Sequence, residues 1–103
     1  MEPNKPRPPR SEIRATAEIL DRNSGQTLTA RTSNVNLAGC FVEAANPFPT
    51  YSVVSIKITH QGSTFTAYGD VIRSVPGLGM AIRFRSIDPA QATLLRNWLF
   101  SGR

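Results

Sequence analysis

From Ile13 onward apolar and polar side chains alternate. Ile13, Ala15, Ala17 and Ile19 fall on one side of an extended chain, with Arg14, Thr16 and Glu18 on the other, which predicts a half-buried strand. Asn23-Ser24-Gly25 offers residues that tolerate positive φ, and Thr27-Leu28-Thr29-Ala30-Arg31-Thr32 resumes strand composition, so the first two strands read as a hairpin. Asn34-Val35-Asn36-Leu37-Ala38-Gly39 interrupts the pattern, and Cys40-Phe41-Val42-Glu43 restores it briefly. Asn46-Pro47-Phe48-Pro49 is a further break, because proline cannot donate to a ladder. Val54, Ile56 and Ile58 then alternate with Ser55, Lys57 and Thr59 up to a turn at His60-Gln61-Gly62-Ser63. Phe65 to Arg73 is the hairpin partner, with Gly69 marking a bulge or a close backbone approach. Pro76-Gly77-Leu78-Gly79 turns the chain into Met80-Ala81-Ile82-Arg83-Phe84, whose Met80, Ile82 and Phe84 share a face. Six short strands in succession predict an all-β fold, a closed or nearly closed antiparallel six-stranded barrel.

The last segment changes period. Asp88 suits an N-cap, Pro89 the first helical position and Gln91 the third, close to a capping box, and Leu94, Leu95, Trp98 and Leu99 form a stripe at helical spacing. The expectation is a C-terminal amphipathic α-helix that covers an open end or side of the barrel or meets a second copy of itself. Trp98 is read as core packing.

Residues 1–9 hold Pro3, Pro6, Pro8 and Pro9 and almost nothing apolar, so they read as a flexible extended arm ahead of one domain over 10–103. The 103 residues suffice for a single modest core. Twelve Lys and Arg against seven Asp and Glu give a net charge of +5, and all the cations except Lys5 and Lys57 are arginine. Arginine presents a planar donor fork that grips phosphate, reads a guanine edge or stacks on a base. Lys5, Arg7, Arg10 and Arg14 concentrate this charge in the first fourteen residues, against Glu2 and Glu12, which points to an anionic partner. No stretch approaches the length of a membrane span and the leader has no apolar signal region, so no membrane insertion is expected and the cytoplasm is the default compartment.

Little supports catalysis. His60 falls in a turn, where a solvated side chain is the ordinary outcome, and lone Cys40 at a strand start reads as a small buried residue. Glu18 and Asp21 are the nearest carboxylates of interest, but odd spacing on a strand sends them to opposite faces. No metal site, cofactor or enzymatic chemistry is expected. The binding candidates are the pair Arg10-x-x-x-Arg14 and the break Asn34-x-Asn36-x-x-Gly39. Asn amides can meet a base edge, and Gly39 permits close approach or positive φ; an Asx turn with no ligand is the alternative reading of that loop.

Together these two stretches resemble the PilZ domains, which bind the bacterial second messenger cyclic di-GMP. That family carries Arg-x-x-x-Arg in an N-terminal segment and then Asp-or-Asn-x-Ser-x-x-Gly, on a six-stranded barrel with a C-terminal helix. Arg10 and Arg14 match the first motif, and Asn34 and Gly39 the ends of the second; Asn36 stands where the family usually has serine. Gly39-Cys40-Phe41-Val42-Glu43, Gly69-Asp70-Val71-Ile72-Arg73 and Gly79-Met80-Ala81-Ile82-Arg83-Phe84 also look like PilZ strands in order. The resemblance implies a bacterial, non-enzymatic receptor in which the arginine arm and the loop from Asn34 to Gly39 clamp cyclic di-GMP, often as a stacked pair, and ordering of the arm signals to a downstream protein partner. Arg7 would be an auxiliary cation, whereas Arg73 and Arg83 sit on strands, where an arginine ordinarily just faces solvent. Two other readings stand beside it: a PilZ-like interaction module that no longer takes nucleotide, which Asn36 admits, and a barrel binding single-stranded nucleic acid. The last is disfavoured because Phe41, Phe65 and Phe84 look internal rather than set out as stacking platforms.

Overall fold

Six antiparallel strands close on themselves in the order β1-β2-β3-β6-β5-β4, and one helix follows. The computed structural model describes residues 12–100, so the arm at 1–9, with Arg7, and Arg10 lie outside the described residues. The strands are β1 Thr16–Asp21, β2 Thr27–Val35, β3 Gly39–Glu43, β4 Val53–His60, β5 Ser63–Val75 and β6 Gly79–Phe84, and α1 is Pro89–Phe100.

The alternation read from the sequence is the inside-outside alternation of the barrel wall. Ala17 and Ile19 of β1, Val54, Ile56 and Ile58 of β4, and Met80, Ile82 and Phe84 of β6 are all buried, and Phe65 fills the centre with no exposed surface. Each of these side chains larger than alanine contributes roughly 1.5–3 kcal/mol from water exclusion. Ile13 and Ala15 keep the same alternation ahead of β1, so the inward face begins before the ladder does. At the first hairpin the Asp21 carboxylate accepts the Asn23 N–H at 3.0 Å and the Ser24 hydroxyl at 3.0 Å, while Gly25 takes φ 78°. Glu18 and Asp21 do point to opposite faces, exposed and buried respectively.

Three details differ from expectation. β2 does not stop at Thr32: it continues to Val35 after a register shift between Thr32 and Asn34, so Asn34 is a strand residue and only residues 36–38 make the turn. His60 closes β4 and is half-buried, its ring edge-on to Trp98 with centroids 5.1 Å apart, because α1 packs over this end of the barrel. Phe41 is half-buried on the outer side of β3 rather than internal, whereas Phe65 and Phe84 are core.

The helix starts at Pro89 with the Asp88 carboxylate accepting the Ala90 N–H at 3.2 Å. Gln91 does not reach back to complete a capping box. Its Oε1 accepts the backbone N–H of Thr66 on β5 at 2.8 Å. That amide is available because β6 pairs with β5 only from Gly69 onward, leaving the first half of β5 without a strand on that side. Leu95 is fully buried, and Leu94, Trp98 and Leu99 pack partly buried against the core, so the apolar stripe faces the barrel.

Candidate functional site

Asn34 joins two adjoining depressions on the barrel's outer surface. One, of about 500 Å³, is lined by Glu12, Arg14, Ser33 and Asn34. The other, of about 320 Å³, includes Asn34, Asn36, Gly39, Phe41, Ile72 and Arg83 in its lining. Residues twenty positions apart in sequence, Arg14 and Asn34, thus share one cleft, and the loop residues share the next. Arg7 and Arg10 fall outside the described residues, so only Arg14 of the arginine motif has a described position.

Arg14 lies between two buried residues, and its exposed guanidinium stands 3.7 Å from the Glu43 carboxylate on β3. A solvent-exposed pair of this kind is worth at most about 1 kcal/mol, so an incoming anion can take Arg14 from Glu43 at small cost. Asn36 is fixed more firmly. Its Oδ1 accepts the N–H groups of Ala38 at 2.8 Å and Gly39 at 2.9 Å, and its own N–H donates to the Gly39 carbonyl at 2.9 Å. This is an Asx-stabilised turn, and it commits the amide oxygen while leaving the Nδ2 donors for another partner.

Gly39 is required for a reason other than positive φ. A Cβ there would lie 2.1 Å from the Ile82 carbonyl oxygen and 3.1 Å from Arg83 Cα, so the close approach it permits is between β3 and β6. Gly69 serves the same close packing, since a Cβ on it would lie 2.7 Å from Ile82 Cγ2. Arg83, read from sequence as an ordinary strand arginine, is brought beside Asn34 and Asn36 by the pairing of Gly39 with Arg83. The signal that could have found it is register: β6 follows the loop strand directly in the barrel order.

Cys40 is buried, and its thiol is pushed up to about 12 by that burial, which keeps it protonated and unreactive. Among the described residues no three His, Cys, Asp or Glu side chains come together as a metal site. No helix among them is long and apolar enough to cross a membrane.

A larger concavity, of about 880 Å³, crosses the outer side of β1, β2, β4 and β5 up to the start of α1. Its lining among the described residues holds hydroxyls, Tyr68, Ile87 and the carboxylates of Glu18 and Asp88; Lys57 stands 3.9 Å from Glu18, and Arg22 reaches its edge with the guanidinium already engaged, 4.9 Å over the Tyr68 ring and donating to Ser55 Oγ at 3.2 Å. Size favours this groove, but charge favours the pair of depressions at Asn34 for an anionic ligand.

The small closed barrel, with a helix over one end, carries arginine and amide side chains on its outer wall, groups able to hold an anionic ligand. The PilZ domain family model matches residues 4–101, nearly the whole chain, and the protein belongs to that family, a cyclic di-GMP receptor family of binding and effector domains. The fold is similar to the PilZ domain of CeSA from a cellulose-synthesizing bacterium, with TM-score 0.69 and 18% identity over 89% of this chain and 95% of that one. It is similar to the PilZ domain of Escherichia coli YcgR, solved with c-di-GMP, with TM-score 0.69 and 18% identity over 95% and 91% of the two chains. The Bacillus subtilis inhibitor of motility MotI/DgrA matches with TM-score 0.74 and 13% identity over 95% of this chain, which spans 51% of that protein's length. No curated protein sequence matches the chain.

Proposed function

We propose that this chain is a non-enzymatic receptor for cyclic di-GMP, with its site at the two depressions that meet at Asn34. The observation that carries the reading is the convergence of Arg14, Asn34 and Asn36, from the two stretches that resemble the family motifs, onto one continuous outer surface. In this reading Arg14 exchanges its exposed contact with Glu43 for a phosphate or a guanine face, where a guanidinium can bridge oxygens or stack. Asn34 accepts from the guanine Watson–Crick edge, Asn36 donates from Nδ2, and Gly39 holds the loop near the base or sugar. Arg83 extends the cationic wall. Arg7 and Arg10, from the leader ahead of the described residues, close over the ligand from the Arg14 side, and the leader's change of state is what a protein partner reads.

Titration calorimetry with cyclic di-GMP tests this directly. Wild type binds, and Arg10→Ala and Arg14→Ala each abolish measurable binding while the melting temperature of Arg14→Ala stays near wild type, because its pair with Glu43 is exposed. Wild-type heats from either variant refute the assignment. No heat with wild type at high micromolar ligand favours an interaction module that has lost the nucleotide, a reading to which the committed amide oxygen of Asn36 lends weight.

A further inference from the structure

The side chain of Thr32 ties the arginine segment to the asparagine strand. It sits on β2 two residues before Asn34, has no exposed surface, and is, with Asp21, one of two polar residues buried among the described ones. Its hydroxyl donates to the Ile13 carbonyl at 2.6 Å and accepts the Ala15 N–H at 3.0 Å, and its backbone N–H donates to the Ala15 carbonyl at 2.9 Å. Arg14 is the residue between those two partners. Residues 13 and 15 precede β1, and apart from the single backbone bond at the Ala15 carbonyl it is the Thr32 hydroxyl that fastens them to β2. On its other flank Thr32 pairs with Val42, and the register shift that follows turns Asn34 opposite Phe41.

We infer that Thr32 is a positioning residue for ligand binding, whose buried hydroxyl sets the backbone of Arg14 at a fixed offset from Asn34. The inference rests on the receptor reading above and adds to it a residue that touches no ligand. The physical reason is geometric: a hydroxyl with one donor and two acceptor sites can clasp a carbonyl and an amide on alternate residues, and a valine of the same shape can clasp neither. Losing the clasp leaves only the bond at the Ala15 carbonyl and loosens the peptide on either side of Arg14, while the barrel itself stays closed, since the wall around Thr32 is made by β1, β2 and β3 pairing. A long arginine side chain then has to find the ligand from a scattered base, which weakens binding by lost preorganisation.

The test compares Thr32→Val, Thr32→Ser and the core control Val42→Ala in the full chain, with cyclic di-GMP affinity by calorimetry, melting temperature, and amide hydrogen exchange at Ala15. Thr32→Val is expected to bind about tenfold more weakly, the scale of one hydrogen bond, and to exchange faster at Ala15. Thr32→Ser, which keeps the hydroxyl, should return affinity to within about twofold of wild type. Val42→Ala should lower the melting temperature and leave affinity unchanged, which separates positioning from general loosening. Wild-type affinity in Thr32→Val, or an equal loss in Val42→Ala, overturns the inference alone. Absence of binding by the wild-type protein overturns the receptor reading, and this inference with it.

Discussion

Replacing Asn36 separates what holds the loop from what meets the ligand. The amide oxygen carries two hydrogen bonds, to Ala38 at 2.8 Å and Gly39 at 2.9 Å, while Nδ2 is left for an outside partner. Asn36→Ala removes both bonds; the Ala38 amide is exposed and recovers water, so the net cost is set mostly by the partly buried Gly39 amide, about 1 kcal/mol. For a domain of this size that lowers the melting temperature by roughly 4–8 °C. Asn36→Asp keeps an acceptor at the same place, so the turn and its stability survive, but it exchanges the donor for a negative charge. For a phosphate bound about 7 Å away, and with an effective dielectric constant near 20, that repulsion would be about 2.4 kcal/mol, or roughly sixtyfold in affinity. Asn36→Ser retains a weaker acceptor and a donor, and should keep affinity at or above the wild-type value. The assays are thermal melts and calorimetry with cyclic di-GMP at fixed low salt. An Asn36→Asp variant that is stable and binds as tightly as wild type refutes the claim that Asn36 Nδ2 donates to the ligand, and a marked loss in Asn36→Ser would show the amide itself to be a contact.

Two further outcomes follow from the packing. Gly39→Ala drives a Cβ into the Ile82 carbonyl and should destabilise by about 3 kcal/mol, measured by urea unfolding; a cost below about 1 kcal/mol would mean that β3 and β6 separate easily. The raised Cys40 thiol means that the folded state holds this proton more tightly than the unfolded chain does. Its contribution to stability is therefore complete below pH 9, where the unfolded thiol titrates, and is lost as pH rises toward about 12. Cys40→Ala should flatten that part of the stability profile, and a thiol reagent at pH 8 should label wild type only upon unfolding; prompt labelling of the folded protein would contradict the burial.

Most of the wall could be read from the sequence because inward and outward positions differ in chemistry: Ile13 to Ile19, Val54 to Ile58 and Met80 to Phe84 announce their faces one residue at a time. The site was less legible. Asn34 looked like part of a break because an irregularity at Ser33 shifts the register, and nothing local in Thr32-Ser33-Asn34 signals an extra residue. Thr32 looked like any strand threonine, since its partners are backbone atoms seventeen and nineteen positions away. Gly39 suggested a close backbone approach or a positive φ, and the sequence around it does not say that the approach is to an Ile82 carbonyl on another strand. His60 looked solvated until a helix nearly forty positions later laid Trp98 against it. In each case the deciding contact is long-range, and composition within a window does not contain it.

The bond from Thr66 to Gln91 has a consequence for association. The first half of β5 reaches past β6 with backbone donors and acceptors turned outward, at Thr66 to Gln91 and at Tyr68 to the Arg85 N–H, and a bare strand edge of that kind is a template for another chain to pair with. A single glutamine side chain and the segment leading into α1 occupy that edge instead of a seventh strand. The barrel is thus sealed against sheet-to-sheet growth partly by its helix, and a chain shortened ahead of Pro89 would trade a self-contained domain for one prone to stacking edge to edge.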